Sequence, residues 1–474
     1  MNIEHSFINI KLKYILYLFL FIITIGFLIL PALQNGYPLV FSDTGTYIYS
    51  GYDKFVPIDR PLGYGLFIYL FGKIISSLWV IVILQAMFVI ATCHLFVRLF
   101  LPTGKSFPVT CLLLITLSFF TGVSNYNSII IPDIFTSLLL ISLAVLLFHN
   151  NLSSISKILL ALLIIFSITF HFSNLMLALG CVLIFIIASF VLPTKIHKVN
   201  LKKLVFVSDV LLTGWIAMPL IHYFHGNEFV WSRAKNVIIM GKFVECGVLK
   251  IYLDDKCPDA LPSLCNQKNN LPQHAWQFLW EDSPLKDKDC LANGGWVNCW
   301  IQKDKEYSPI VRDIITTPKY LRIFAYDSFV ASVKQLMTFG IVMMTPLNEN
   351  GPVLWLIKKY YPNELNQYTS TEQSKRKVFY YGKTLVQNIV VVISLIIIIL
   401  LLIKKSFRKT LTPQIINMVF FVFTGLVLNA FICATFSDMV DRYQGRVIWL
   451  IPLIALTMLV RLIFFKPKVS AVNS

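Results

Sequence analysis

Runs of roughly 20 apolar residues, separated by short polar connectors, recur along most of this chain, and that length spans a hydrocarbon core of about 30 Å. They predict helices near 14–33, 78–100, 107–123, 131–148, 158–170, 175–192, 204–223, 386–403, 415–434 and 447–465. In a bilayer only helices and closed barrels pair every backbone N–H and C=O, and the alternating pattern of barrel strands is missing here. The predicted fold is therefore an all-α polytopic membrane protein with about ten transmembrane helices. Residues 61–75, PLGYGLFIYLFGKII, are apolar and aromatic but broken by Gly63, Gly65 and Gly72, which suits a helix lying in the interface. The pattern divides the chain into an N-terminal bundle (1–223) whose first outer loop is 35–76, a long polar stretch (224–380), and C-terminal helices (381–474). Inside the polar stretch, 324–347 is apolar yet carries Asp327, Lys334 and Gln335, predicting an amphipathic helix on the outer face.

Composition supports the bilayer as solvent: 57% of residues are hydrophobic and 14% charged, against about 25% charged in soluble domains. The net charge of +17 would suggest nucleic acid in a soluble protein. Here much of the basic excess sits in short loops, where it reports topology, and no nucleic-acid partner is expected. Threading the helices from a cytoplasmic amino terminus, with Lys11 and Lys13 ahead of the first, puts Arg98, Lys105, Lys157, Lys195, Lys198, Lys202 and Lys203 inside. Lys404, Lys405, Arg408, Lys409, Lys466 and Lys468 follow them, while the outer loops 124–130 and 172–174 hold no Lys or Arg. The first run lacks a small-residue cleavage site before Gln34, so it reads as an uncleaved helix.

That threading exports residues 224–380, which contain Cys246, Cys257, Cys265, Cys290 and Cys299. Clustered cysteines in an exported segment point to disulfides in an oxidising compartment. Five is odd, so one thiol is left over, and the pairing stays open. No Asn of this segment begins an N-x-Ser/Thr sequon, which fits a bacterial inner membrane protein with a periplasmic 224–380.

The chemistry gathers on the outer side. Asp43, Asp53, Asp59 and Arg60 lie in the first outer loop among Tyr37, Tyr47, Tyr49, Tyr52 and Tyr64, and Asp133 follows Pro132 at the start of a helix. His171 ends another, and Asp438, Asp441, Arg442 and Arg446 fill the loop before the last. A carboxylate there can deprotonate a hydroxyl or hold a divalent cation, and guanidiniums pair with phosphate oxygens through forked hydrogen bonds. Arg60, Arg442 and Arg446 are the phosphate-binding candidates, with Asp59, Tyr64 and His171 beside them as substrate-binding candidates. Plainer roles exist for each: Asp133 as a helix start, Asp43 as an Asx turn in SDTGT, Asp59 and Arg60 as a surface pair, His171 as an interfacial anchor.

The opening of the chain, a first helix, then SDTGTYIYSG and, after a spacer, DRPLGYGLFIYLFGKI, resembles the GT-C superfamily of membrane glycosyltransferases. The loop SNYNSIIIPD before the helix at 131–148 is similar to the second outer loop of those proteins. The resemblance covers about residues 1–150 and implies a transferase that moves a sugar from a polyprenyl-phosphate donor to a glycan, lipid or protein acceptor of the cell envelope. It further implies Asp43 as catalytic base and Asp133 as a second acid, acting through a divalent cation such as Mg or Mn where one is used. A single Asp43 and Arg60-Pro61 stand where family members often carry paired acids or His-Pro-Pro, so sugar and subfamily stay unassigned. The competing reading is a transporter or flippase of a lipid-linked or polar substrate, which also needs many helices but places charge near the midplane.

Overall fold

The structure is a computed structural model that describes residues 2–101, 103–192, 196, 198–281, 283–342, 344, 351–375, 378 and 380–464. Of the positions named above, Lys195, Lys466, Lys468 and residues 343 and 345–347 of the expected outer helix fall outside this set. The described residues form helices without any strand; Leu39 with Ile129 and Met344 with Val378 form isolated bridges. Six helices are long and apolar enough to cross a membrane: Trp79–Val97, Phe172–Val191, Leu201–Gly226, Tyr381–Ile403, Pro413–Phe436 and Asp441–Phe464. Their length and composition mark the chain as an integral membrane protein. Shorter apolar helices, Leu12–Leu28, Gly63–Ile75, Gly104–Phe120, Ile134–Phe148 and Ser154–Phe170, account for the other runs.

Ile134–Phe148 is the hub, because each of its residues is buried. Fifteen residues reach only about 22 Å, less than a hydrocarbon core. Asp133, at its start, is therefore enclosed by neighbouring elements rather than held at a surface.

Two connectors are stitched together beside it. The Leu39 N–H donates to the Ser128 carbonyl at 2.9 Å, the Ile130 N–H returns to the Leu39 carbonyl at 2.9 Å, and the Thr44 hydroxyl donates to the Ile130 carbonyl at 3.0 Å. This short parallel bridge leads the chain from Leu39 into the Ser42–Asp53 helix and from Ile130 into Asp133. The Ser42–Asp53 helix then lies against Gly63–Ile75 so closely that a side chain at Gly51 would meet the Gly65 carbonyl oxygen at 2.0 Å. Glycine at both positions permits that approach.

Residues between Ala234 and Phe324, with Ile58, form a second layer with its own core, including Met240, Phe243, Leu253, Phe278, Trp300 and Tyr307. The helix expected at 324–347 is Pro318–Met337 instead. Proline at its first turn, after Thr317, fixes the start, since that position needs no N–H. Its end comes at Thr338, and Gly340 just beyond gives its N–H to Asp441 Oδ1 at 2.7 Å, which pulls the backbone out of the helix. Pro318–Met337 packs along Pro413–Phe436, and Gln335 grips Val440 by two hydrogen bonds, Nε2 to its carbonyl at 2.9 Å and Oε1 from its N–H at 3.1 Å.

The cysteines resolve as Cys257–Cys265 and Cys290–Cys299, with Cα separations of 5.8 and 5.3 Å, and Cys246 is the thiol left over. Closing loops this short contributes about 2–3 kcal/mol each in the chain-entropy view. A membrane-impermeant maleimide applied from the outer side should add about one label before reduction and about five after it. Five labels without reductant would show the bridges do not form.

Candidate functional site

Four arginine–carboxylate contacts build the site from three distant segments. Arg60 Nη1 lies 3.2 Å from Asp43 Oδ1, and Arg442 Nη1 lies 3.1 Å from Asp43 Oδ2. Arg442 Nε lies 3.5 Å from Asp133 Oδ2, and Arg446 Nη1 lies 3.0 Å from Asp133 Oδ1. One guanidinium thus spans both carboxylates, which limits the separation of those two oxygens to about 9 Å given the fixed planar fork. The Asp133 side chain is 3% exposed and that of Arg446 0%, whereas Asp43 is 23% and Arg442 14% exposed. The cluster is graded, sealed at Asp133 and open at Asp43.

Local structure explains each placement. Asp43 occupies the first turn of its helix, where the dipole favours a carboxylate. Burial alone would raise its pKa, but Arg60 and Arg442 hold it below the ordinary carboxylate value. Asp133 makes no capping bond to its own helix; its oxygens face the arginines. Arg442 and Arg446 sit one turn apart on the last crossing helix and present both heads to one face. Arg446 also donates to Asn429 Oδ1 at 3.1 Å and Ser173 Oγ at 3.4 Å, tying in two further helices.

The remaining candidates divide. Asp59 receives the Arg60 Nε hydrogen bond at 3.1 Å and so orients the guanidinium that reaches Asp43. His171 caps the Phe172–Val191 helix, its Nδ1 accepting the Ser173 N–H at 3.2 Å, which leaves the hydrogen on Nε2. Burial first, then Arg446, Arg442 and Arg60, keep its pKa well below the usual imidazole value, so it is neutral at ordinary pH. Tyr64 points elsewhere: it is fully buried among Tyr47, Phe67, Phe135 and Phe170, and its hydroxyl donates to Gln85 Oε1 at 2.8 Å. Gln85 in turn donates to the Asn127 carbonyl at 2.8 Å, so Tyr64 steadies the second connector instead of touching the open side.

A cavity of about 610 Å³ opens at Arg442, lined also by Phe41, Tyr443, Asp438, Asp441, Thr338, Trp276 and Trp280. Sequence reasoning missed the two tryptophans, which lie on a short helix of the second layer with no signal linking it to Arg442. Guanidiniums lie beside the carboxylate oxygens of both Asp43 and Asp133, and no group of three or more His, Cys, Asp and Glu that could hold a metal ion occurs among the described residues. Compared with known protein families, curated proteins and solved structures, the chain matches none.

Proposed function

We propose that this protein is a membrane glycosyltransferase working at the outer face of a bacterial inner membrane, moving a sugar from a polyprenyl-phosphate donor to an envelope glycan, lipid or protein. A ten-crossing topology with a cytoplasmic amino terminus accompanies that reading, with the shorter apolar helices completing the bundle. The observation that carries it is Arg442, which bridges Asp43 and Asp133 and also lines a cavity of about 610 Å³.

In the reaction, an acceptor hydroxyl forms a bond to the anomeric carbon while the bond from that carbon to the phosphate oxygen breaks. Polyprenyl phosphate leaves with the electron pair, and the hydroxyl proton passes to a carboxylate. Asp43 held by two guanidiniums is a weak base, because both stabilise its ionised form. A lipid phosphate competes for those guanidiniums with more charge and more acceptor oxygens. Binding the donor thus draws positive charge off Asp43 and restores its proton affinity when the acceptor arrives. Asp133 and Arg446, sealed below, keep the platform in place.

The competing transporter reading places charge along a route through the middle of the bundle. Here the linked charges gather where the two outer connectors meet the last helix. Purified protein in liposomes, supplied with polyprenyl-phosphate mannose, glucose and arabinose and membrane lipid extract as acceptor, should release free polyprenyl phosphate from one donor. Label crossing the leaflet with the donor intact would instead establish a flippase.

A further inference from the structure

The cavity beside Arg442 carries more than a phosphate platform needs. Trp276 and Trp280 are four residues apart on the Ala275–Trp280 helix, so both indoles share one side. They are 44% and 47% exposed where tryptophan normally buries its ring, and both line the cavity. Trp280 is braced by Trp300 and Trp296, with ring centroids 5.2 and 6.3 Å away, and Trp276 lies parallel to His274 at 6.4 Å. Both indoles thus offer aromatic surface to the cavity, held by neighbouring rings.

Polar residues line the same cavity. Asp438 Oδ1 is buried without a hydrogen-bond partner, and burial and the neighbouring Glu245 carboxyl raise the Asp438 pKa. Two carboxyls placed so near each other favour holding one proton between them. Asp441 is committed to the Gly340 N–H, whereas Arg442 and Thr338 reach the cavity. Exposed aromatic rings beside carboxylates suit a ligand with one apolar face and a rim of hydroxyls, since a plain hydrocarbon would leave the carboxylates unpaired.

We infer that this cavity is a saccharide-binding cleft, in which Trp276 and Trp280 carry the C–H face of a sugar ring while Asp438 and Arg442 hold its hydroxyls. Its being the acceptor subsite rests on the glycosyl-transfer reading; its affinity for saccharides does not. Protonation of Asp438 then tunes it. Burial and the Glu245 carboxylate push the Asp438 pKa up to about 6, against the opposing charges of Lys242 and His274. Lys242 is itself shared between Glu245 at 2.8 Å and Asp327 at 3.7 Å, and Arg442 faces Asp43 and Asp133. Below about pH 6 the proton keeps Asp438 on Glu245, and above it the carboxylate is free to accept a sugar hydroxyl.

The test uses the full chain in nanodiscs on an array of neutral gluco-, manno-, galacto- and N-acetylglucosamine oligosaccharides of about four to six units, at pH 5 and pH 7.5. At least one series should bind, more tightly at the higher pH, with Trp276→Ala and Asp438→Asn each weakening it about tenfold or more. Asp438→Asn should also abolish the pH difference. Absence of binding by every series, or binding that both variants leave unchanged, overturns the inference. So does strong quenching of Trp276 by brominated lipid in the nanodisc, scored against Trp276→Phe, which would make it a headgroup anchor. Saccharide binding without release of polyprenyl phosphate would sink the transfer reading and leave the cleft standing; release without saccharide binding would do the reverse.

Discussion

Arg446→Leu should destabilise the protein by about 3–5 kcal/mol, the usual cost of removing one partner of a buried ion pair. The side chain is fully enclosed, and its head holds Asp133, Asn429 and Ser173 from three other segments. Without it, Asp133 keeps only Arg442 at 3.5 Å, inside a bundle that offers little water. Adding Asp133→Asn should recover part of the loss, because the stranded charge is then gone, and the coupling measured by that cycle isolates the pair. Equilibrium unfolding in mixed micelles gives the comparison. If Arg446→Leu costs under about 1 kcal/mol, the pair does not hold the bundle's outer end together.

What the sequence discloses follows from which forces are local. The apolar runs place helices well because the bilayer demands paired backbone within each segment, so 175–192, 386–403 and 415–434 fall on Phe172–Val191, Tyr381–Ile403 and Pro413–Phe436. The central Ile134–Phe148 helix is equally apolar, yet nothing in its pattern says that it is enclosed on every side. The outer helix was displaced because an apolar run outlasts its helix: Pro318 sets its start and Gly340, bonded to Asp441, draws the backbone away beyond its end. Charge and location nominate Asp43, Asp133, Arg60, Arg442 and Arg446, and the structure brings these five into one linked cluster. The partners that each chooses are tertiary facts. Asp133 reads as readily as a cap, and Tyr64 reads as a ligand group until Gln85 is seen beneath it. Trp276, Trp280 and Glu245 belong to a second layer that meets Asp438 and the last helix only in three dimensions.

Arg442→Gln should lower polyprenyl phosphate release about 10²–10³-fold in the liposome assay, the range seen when one charge-stabilising donor is removed from a reaction centre. Arg442 is the residue whose loss affects both carboxylates at once, and it lines the cavity proposed to receive the donor. Glutamine keeps most of the length and some hydrogen bonding but removes the charge proposed to hold the leaving phosphate. Arg442→Lys restores charge without the fork, so one ammonium cannot reach Asp43 and Asp133 together, and it should recover less than about a tenth of the activity. A merely structural role would lower the amount of folded protein and leave the kinetics of the folded fraction alone. A role on the phosphate raises the donor KM and lowers kcat together, since the same guanidinium binds the ground state and the departing anion. Asp43→Asn separates the two ends of the bridge: it should abolish turnover while leaving the donor KM close to wild type, because the guanidiniums remain. Wild-type-like release by either Arg442→Gln or Asp43→Asn in folded, inserted protein would show that transfer, if it occurs, uses another part of the outer face.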